Sequence, residues 1–100
     1  MFYLYILYSP SSDKYYVGYS NDVERRINEH NFSKRITYTS KHRPWTISVI
    51  YSCGHLESDA VKIERFIKKQ KSRKLVEQLV NGDQFSGILA QLVRVPHVRD

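Results

Sequence analysis

At 100 residues the chain has room for one domain and one core, with 41% apolar residues to build it. No run approaches the roughly 18 apolar residues of a membrane span, and no charged-then-apolar leader precedes the first strand-like stretch, so a cytoplasmic protein is expected. A lone cysteine, Cys53, excludes an internal disulfide framework and a thiolate-rich zinc site, while sixteen Lys and Arg against ten Asp and Glu (net +6) favour a polyanionic partner.

Phe2 to Tyr8 is dense in aromatic and aliphatic residues and reads as a strand. Ser9-Pro10-Ser11-Ser12-Asp13-Lys14 is a turn by composition, and Tyr15 to Tyr19 returns as the second strand of a hairpin. If Tyr8 and Tyr15 close the loop as a pair, Tyr5 faces Gly18, Leu7 faces Tyr16, and the two tyrosines Tyr5 and Tyr16 share one face. A slip of one residue would part them. Asn21 followed by Glu24 resembles a capping box, with Asp22 favouring the positive helix end, so a helix is expected to about Asn31. On it Val23, Ile27 and His30 share a side, Arg26 flanks that side, and Arg25 points to solvent.

Residues 32 to 44 are polar and carry Lys34, Arg35, Lys41, His42 and Arg43, a basic loop suited to a nucleic-acid backbone. Trp45 to Tyr51 is a third strand, with Trp45 either anchoring it in the core or free to stack on bases. A second helix is expected from about Ser58 to Gln70, a short one capped by Ser72 through Val80, a break at Asn81-Gly82-Asp83, and a last helix over Gln84 to Val93. The expected fold is α+β: a three-stranded, mainly antiparallel sheet flanked by helices, in the order ββα-β-αα plus a C-terminal helix. The expected domain spans residues 1–94, followed by a frayed tail over 95–100.

Glu64 breaks the pattern of the second helix. It falls between Ala60, Val61 and Ile67, on the side facing the core, while Lys62, Arg65 and Lys69 take the solvated side. A carboxylate there is costly unless a cation or donors meet it, so either a metal ion or a buried ion pair with an arginine is implied. Arg26 could be that arginine, could lie beside a phosphate, or could snorkel along the helix edge. His30 on an apolar side is as readily a satisfied core histidine as a catalytic one. No zinc pattern, Gly-rich phosphate loop or nucleophile elbow is present.

In order along the chain, these features resemble the GIY-YIG nuclease family, small stand-alone branch, over about residues 2 to 80. Tyr3-Leu4-Tyr5 resembles the first family motif and Tyr16-Val17-Gly18 the second, at the family's spacing; Arg26, His30 and Glu64 fall on the family's arginine, histidine and metal-binding glutamate. Two departures stand out: Tyr3 replaces the first glycine of the name motif, and the late asparagine is matched only loosely by Asn81. The resemblance implies a divalent-metal-dependent endonuclease acting on DNA, in branched or damaged form, with RNA not excluded. Tyr5, Tyr16, Arg26, His30 and Glu64 would be catalytic and Glu64 would hold Mg²⁺ or Mn²⁺. Gly18 would let backbone or substrate approach closely, beside a nucleic-acid contact set of Lys34, Arg35, Lys41, His42 and Arg43. A compact domain of this kind is expected to draw specificity from a partner protein. Two rival expectations stand beside it: a catalytically weak binding or docking module of the same fold, and a structural domain held by an Arg26–Glu64 ion pair.

Overall fold

A computed structural model describes residues 1–96. The elements run β1 (Phe2–Ser9), β2 (Lys14–Ser20), α1 (Val23–Phe32), a 3₁₀ turn (Thr39–His42), β3 (Thr46–Gly54), α2 (Glu57–Gln70), α3 (Arg73–Asn81), a second 3₁₀ turn (Gly87–Gln91) and β4 (Val93–Arg94). The sheet is antiparallel throughout, in the order β2-β1-β3-β4.

β1 is interior to the sheet and is covered on both faces, which is why it reads as nearly continuous apolar sequence. Its alternate side chains serve two separate cores. Leu4 and Ile6 point into the larger one, with Val17, Val49, and Ala60, Ile63 and Ile67 of α2. Tyr5 and Leu7 point the other way, against Trp45 and Ile50, with Val23 and Ile27 of α1 packed over them. α1 and α2 therefore lie on opposite faces, and β2 is left as an edge between them.

The hairpin register is the expected one: Tyr8 pairs with Tyr15, Leu7 with Tyr16 and Tyr5 with Gly18. Ser72 caps α3 as expected, accepting from the Leu75 N–H at 3.1 Å. The cap of α1 falls one residue later than the sequence suggested. Asp22, not Asn21, accepts from the Arg25 N–H at 3.1 Å, because Ser20 Oγ bonds the Asp22 N–H and carbonyl and sets the chain's entry angle there.

Two expectations are corrected at the C-terminal end. The sheet has four strands rather than three, since Val93 and Arg94 pair with Ser52 and Tyr51. The last helix over Gln84 to Val93 is not formed; only the 3₁₀ turn Gly87–Gln91 is. Gly87 enters that turn at φ +68° after an extended Ser86, and a single turn already buries Leu89, so nothing drives a longer helix. Val95, the expected start of the tail, donates its N–H to Ile50 O at 2.9 Å, and residues 97–100 lie outside the described residues.

Candidate active site

The register places Tyr5 directly across from Gly18, and Gly18 has no side chain for a reason visible in the packing. A Cβ there would come within 2.5 Å of Tyr5 Oη and 2.6 Å of Cζ. The space expected to admit backbone or substrate is thus filled by the Tyr5 phenol, which lies over the glycine and is only 1% exposed. Tyr16 lies on the same face, its ring centroid 6.5 Å from that of Tyr5.

α1 then lays His30 and Arg26 over these rings. Tyr5 Oη and His30 Nε2 are 2.9 Å apart, and His30 Nδ1 is 3.0 Å from Thr39 Oγ1, itself 3.1 Å from Thr37 Oγ1. The His30 ring packs edge-on to Tyr16 at 4.8 Å. Both nitrogens of a buried histidine are therefore partnered. Burial lowers its pKa to about 4, assisted by the positive charge of Arg26, so the imidazole is neutral near pH 7. Burial also pushes the Tyr5 phenol up to about 12, against the opposing pull of Arg26. With the phenol pushed up and the imidazole pushed down, full proton transfer from Tyr5 to His30 is strongly uphill at rest. The resting pair is neutral phenol and neutral imidazole, so His30 lends the phenol no positive charge.

Arg26 is half-buried and its Nη1 donates to Glu29 Oε1 at 2.9 Å. Glu64, on the flank of the buried stripe Ala60–Ile63–Ile67, is 19% exposed at its side chain and lies 3.6 Å from Lys68 Nζ. The Arg26–Glu64 ion pair of the structural alternative is not formed among the described residues; each group has a partner on its own helix. Lys68 also sits 5.3 Å from the centroid of the Tyr16 ring.

One open cavity of about 450 Å³ is lined by Tyr5, Tyr16, Gly18, Arg26 and Glu64 together. The groups converge around the β2 edge of the sheet, where α1 delivers Arg26 from one face and α2 delivers Glu64 from the other. Arg25, expected in solvent, lines the same cavity, as do Asn21 and Glu57, the latter accepting from Tyr19 Oη at 3.0 Å. Asn81 does not line it; it ends α3, exposed. Among the described residues no three His, Cys, Asp or Glu side chains cluster as a ligand set. Two carboxylates line the cavity, and Glu57 already holds Tyr19 Oη; a cation on Glu64 would fill its remaining positions with water and substrate oxygens. That donor set suits a hard ion that keeps its waters, such as Mg²⁺ or Mn²⁺.

The basic loop divides in two. Lys34, Arg35 and Lys41 are exposed, and Arg35 borders a second cavity of about 320 Å³ that shares Tyr16 and Arg26 with the first and adds His30. Arg43 and His42 are occupied within the fold. Arg43 Nε donates to His30 O and Nη2 to Ser33 O, both at 2.7 Å, closing the carbonyl end of α1. His42 Nδ1 is 2.9 Å from Ser12 Oγ, with its ring against Tyr38 and Trp45. Trp45 is buried, its Nε1 donating to Thr39 O at 2.8 Å, so it anchors rather than stacks. Lys68 escaped notice because a lysine on a helix reads by default as solvated; its position one turn after Glu64 was the available signal.

The hairpin, the helix after it and a later helix on the opposite face bring two tyrosines, an arginine and a glutamate to one cavity. The chain matches the GIY-YIG catalytic domain over residues 1–77 and belongs to the GIY-YIG family of nucleases. Its relatives include a UPF0213 protein of Haloquadratum walsbyi, 35% identical over 79 residues, covering 76% of this chain and 86% of the relative. A UPF0213 protein of Streptococcus agalactiae is 36% identical over 72 residues (71% and 77%), and one of Streptococcus pneumoniae 28% over 88 residues (88% and 86%).

Proposed function

We propose that this protein is a divalent-metal-dependent endonuclease that hydrolyses phosphodiester bonds in DNA, with branched or damaged DNA as the favoured form and RNA not excluded. The observation that carries this reading is the meeting of Tyr5, Tyr16, Arg26 and Glu64 on one open cavity although they come from four separate elements. The net charge of +6 draws a polyanion to it.

A phosphodiester resists attack because it is anionic and gains further negative charge in the transition state. Arg26 answers that need: its guanidinium fork binds the scissile phosphate and neutralises charge as it develops. Glu64 is the ligand for Mg²⁺ or Mn²⁺, which when bound supplies Lewis-acid polarisation of the phosphate. Tyr16, on the cavity wall, orients the phosphate or the attacking water through its hydroxyl. Tyr5 donates its hydroxyl proton to His30 Nε2, and His30 donates from Nδ1 to Thr39 Oγ1. In that tautomer Tyr5 Oη takes a proton from the attacking water as its own hydroxyl proton passes to His30 Nε2, so the phenol ends neutral and the imidazole carries the proton. Because the phenol is held at about 12 and the imidazole at about 4, the proton moves only as the attack proceeds, with no standing phenolate. The protein acts in the cytoplasm, and a partner protein supplies specificity; among the described residues no helix is long and apolar enough to cross a membrane.

The test is incubation with Mg²⁺, Mn²⁺ or chelator and a panel of plasmid, duplex, single-stranded, flap and junction DNA. Metal-dependent nicking or cleavage of at least one substrate is expected. Salt-sensitive binding with no product on any substrate would leave a binding module of the same fold as the better description.

A further inference from the structure

A third cleft, of about 350 Å³, lies between the β1–β2 turn and the junction of α2 with α3, and the site described above does not use it. Its walls carry Lys14, Lys68, Lys71 and Arg73, with Asp13 as the one carboxylate. Asp13 is already neutralised, since Arg73 Nη2 lies 2.7 Å from its Oδ1. Among the described residues neither Lys14 nor Lys71 makes an ion pair. The cleft therefore offers ammonium groups with no counter-charge of its own.

It shares no lining residue with the catalytic cavity but reaches toward it through two side chains. Lys68 borders the cleft and lies 3.6 Å from Glu64 and 5.3 Å from the Tyr16 ring centroid. Tyr38 borders both the cleft and the cavity of Tyr16, Arg26 and His30. Tyr38 is 51% exposed although the His42 ring packs 4.8 Å from its own, whereas the Tyr15 ring lies between Tyr8 and Arg73.

The backbone adds an independent sign. Among the described residues two that are not glycine have positive φ, Asp13 at 52° and Lys71 at 50°, and both line this cleft. Asp tolerates that conformation through its short polar side chain, but Lys71 caps α2 where glycine or asparagine is the usual choice. Here a strained lysine stands where a glycine would be easier, and what the lysine adds is a charge at the cleft.

We propose that this cleft is the groove by which one unpaired DNA strand leaves the catalytic cavity, its phosphates met by Lys14, Lys68 and Lys71 and a base stacked on Tyr38. The proposal rests on the nuclease reading for the direction of the strand. The cleft is at the small end of ligand-site volumes, a size for one nucleotide at a time and not for a duplex. Stacking on an aromatic face likewise requires an unpaired base.

The test measures fluorescence anisotropy of labelled oligodeoxythymidine and of a matched duplex in chelator, across a salt series, for wild type, Tyr38→Ala and Lys71→Gly. Wild type is expected to bind the single strand more tightly than the duplex. Tyr38→Ala should weaken single-strand binding about tenfold, in line with the loss of one stacked base. Lys71→Gly should lower the slope of log affinity against log salt by about 0.7, the single-strand value for one phosphate contact. Its melting temperature should match or exceed wild type, because glycine relieves the backbone and so folding failure cannot mimic the loss. Unchanged single-strand binding in both variants, or an equal loss on the duplex, overturns the groove. Cleavage assayed in parallel separates the two readings: cleavage with binding indifferent to both variants removes the groove alone. Binding through the groove with no cleavage of any substrate removes the nuclease reading and leaves the groove standing.

Discussion

Gly18→Ala makes the link between fold and site measurable. Gly18 has no positive φ that alanine would resist, and in a strand alanine is ordinarily favoured over glycine by roughly 0.5–1 kcal/mol. The packing reverses that sign. The new Cβ would meet Tyr5 Oη at 2.5 Å and Cζ at 2.6 Å, and Tyr5 is fully enclosed, so the ring must move. Overpacking of this kind costs about 1–3 kcal/mol. Moving the phenol also parts the 2.9 Å contact with His30 Nε2 and leaves a buried nitrogen without its partner, another 1–3 kcal/mol or so. A net destabilisation of about 1–5 kcal/mol is therefore expected. Urea denaturation followed by fluorescence of Trp45, the single tryptophan and a buried one, reads it directly. The same substitution in a Tyr5→Leu background, where the ring is gone, should be near neutral or stabilising, and the double-mutant cycle gives the coupling. A neutral Gly18→Ala in the wild-type background would refute the close packing on which the site geometry rests.

Two further outcomes follow from the same contacts. His30 has its folded pKa depressed to about 4 from an ordinary 6.5, so below pH 6.5 the unfolded chain takes up a proton that the folded one refuses. Stability should fall by about 3 kcal/mol from pH 6.5 to pH 4 and then level off as regards this group, and His30→Gln should flatten that window. The carboxylates of Asp13 and Glu29, held low by Arg73 and Arg26, add their share at more acid pH, where equilibrium denaturation separates the two arms. Arg43→Ala, which strips the donors from His30 O and Ser33 O, should cost about 2 kcal/mol in urea denaturation. The remaining folded protein should bind DNA with the affinity of wild type; a loss of affinity without a loss of stability would return Arg43 to the nucleic-acid surface.

The hairpin was legible because period-two alternation and a turn bounded by Tyr8 and Tyr15 admit one register that keeps Tyr5 and Tyr16 together. Glu64 was legible as an anomaly because charge on an apolar stripe has a physical cost that demands a partner. Which cation meets it was only half legible: Lys68 stands one turn on along the same helix, but whether Arg26 reaches across depends on where the helices dock, a long-range property. Arg43 shows the same limit: its partners are backbone carbonyls at a helix end, which leave no side-chain signature. The C-terminal segment misled for a different reason. Ile88, Leu89 and Leu92 carry helical spacing, but one 3₁₀ turn already buries Leu89, with Ile88 and Leu92 half-buried, and the chain then pairs Val93 and Arg94 with β3. Placement of the cavity at the β2 edge likewise needed the discovery that α1 and α2 cover opposite faces.

The most direct check on the shared site is Glu64→Gln, assayed on supercoiled plasmid and oligonucleotide substrates across a Mg²⁺ and Mn²⁺ titration. Its contact with Lys68 is long and partly exposed, worth under about 1 kcal/mol, so the fold should persist in thermal denaturation. Cleavage should drop at least about a hundredfold at every metal concentration, as for removal of a principal transition-state contact. A folded Glu64→Gln protein that cuts at the wild-type rate with the wild-type metal dependence would contradict the assignment of this cavity as the active site.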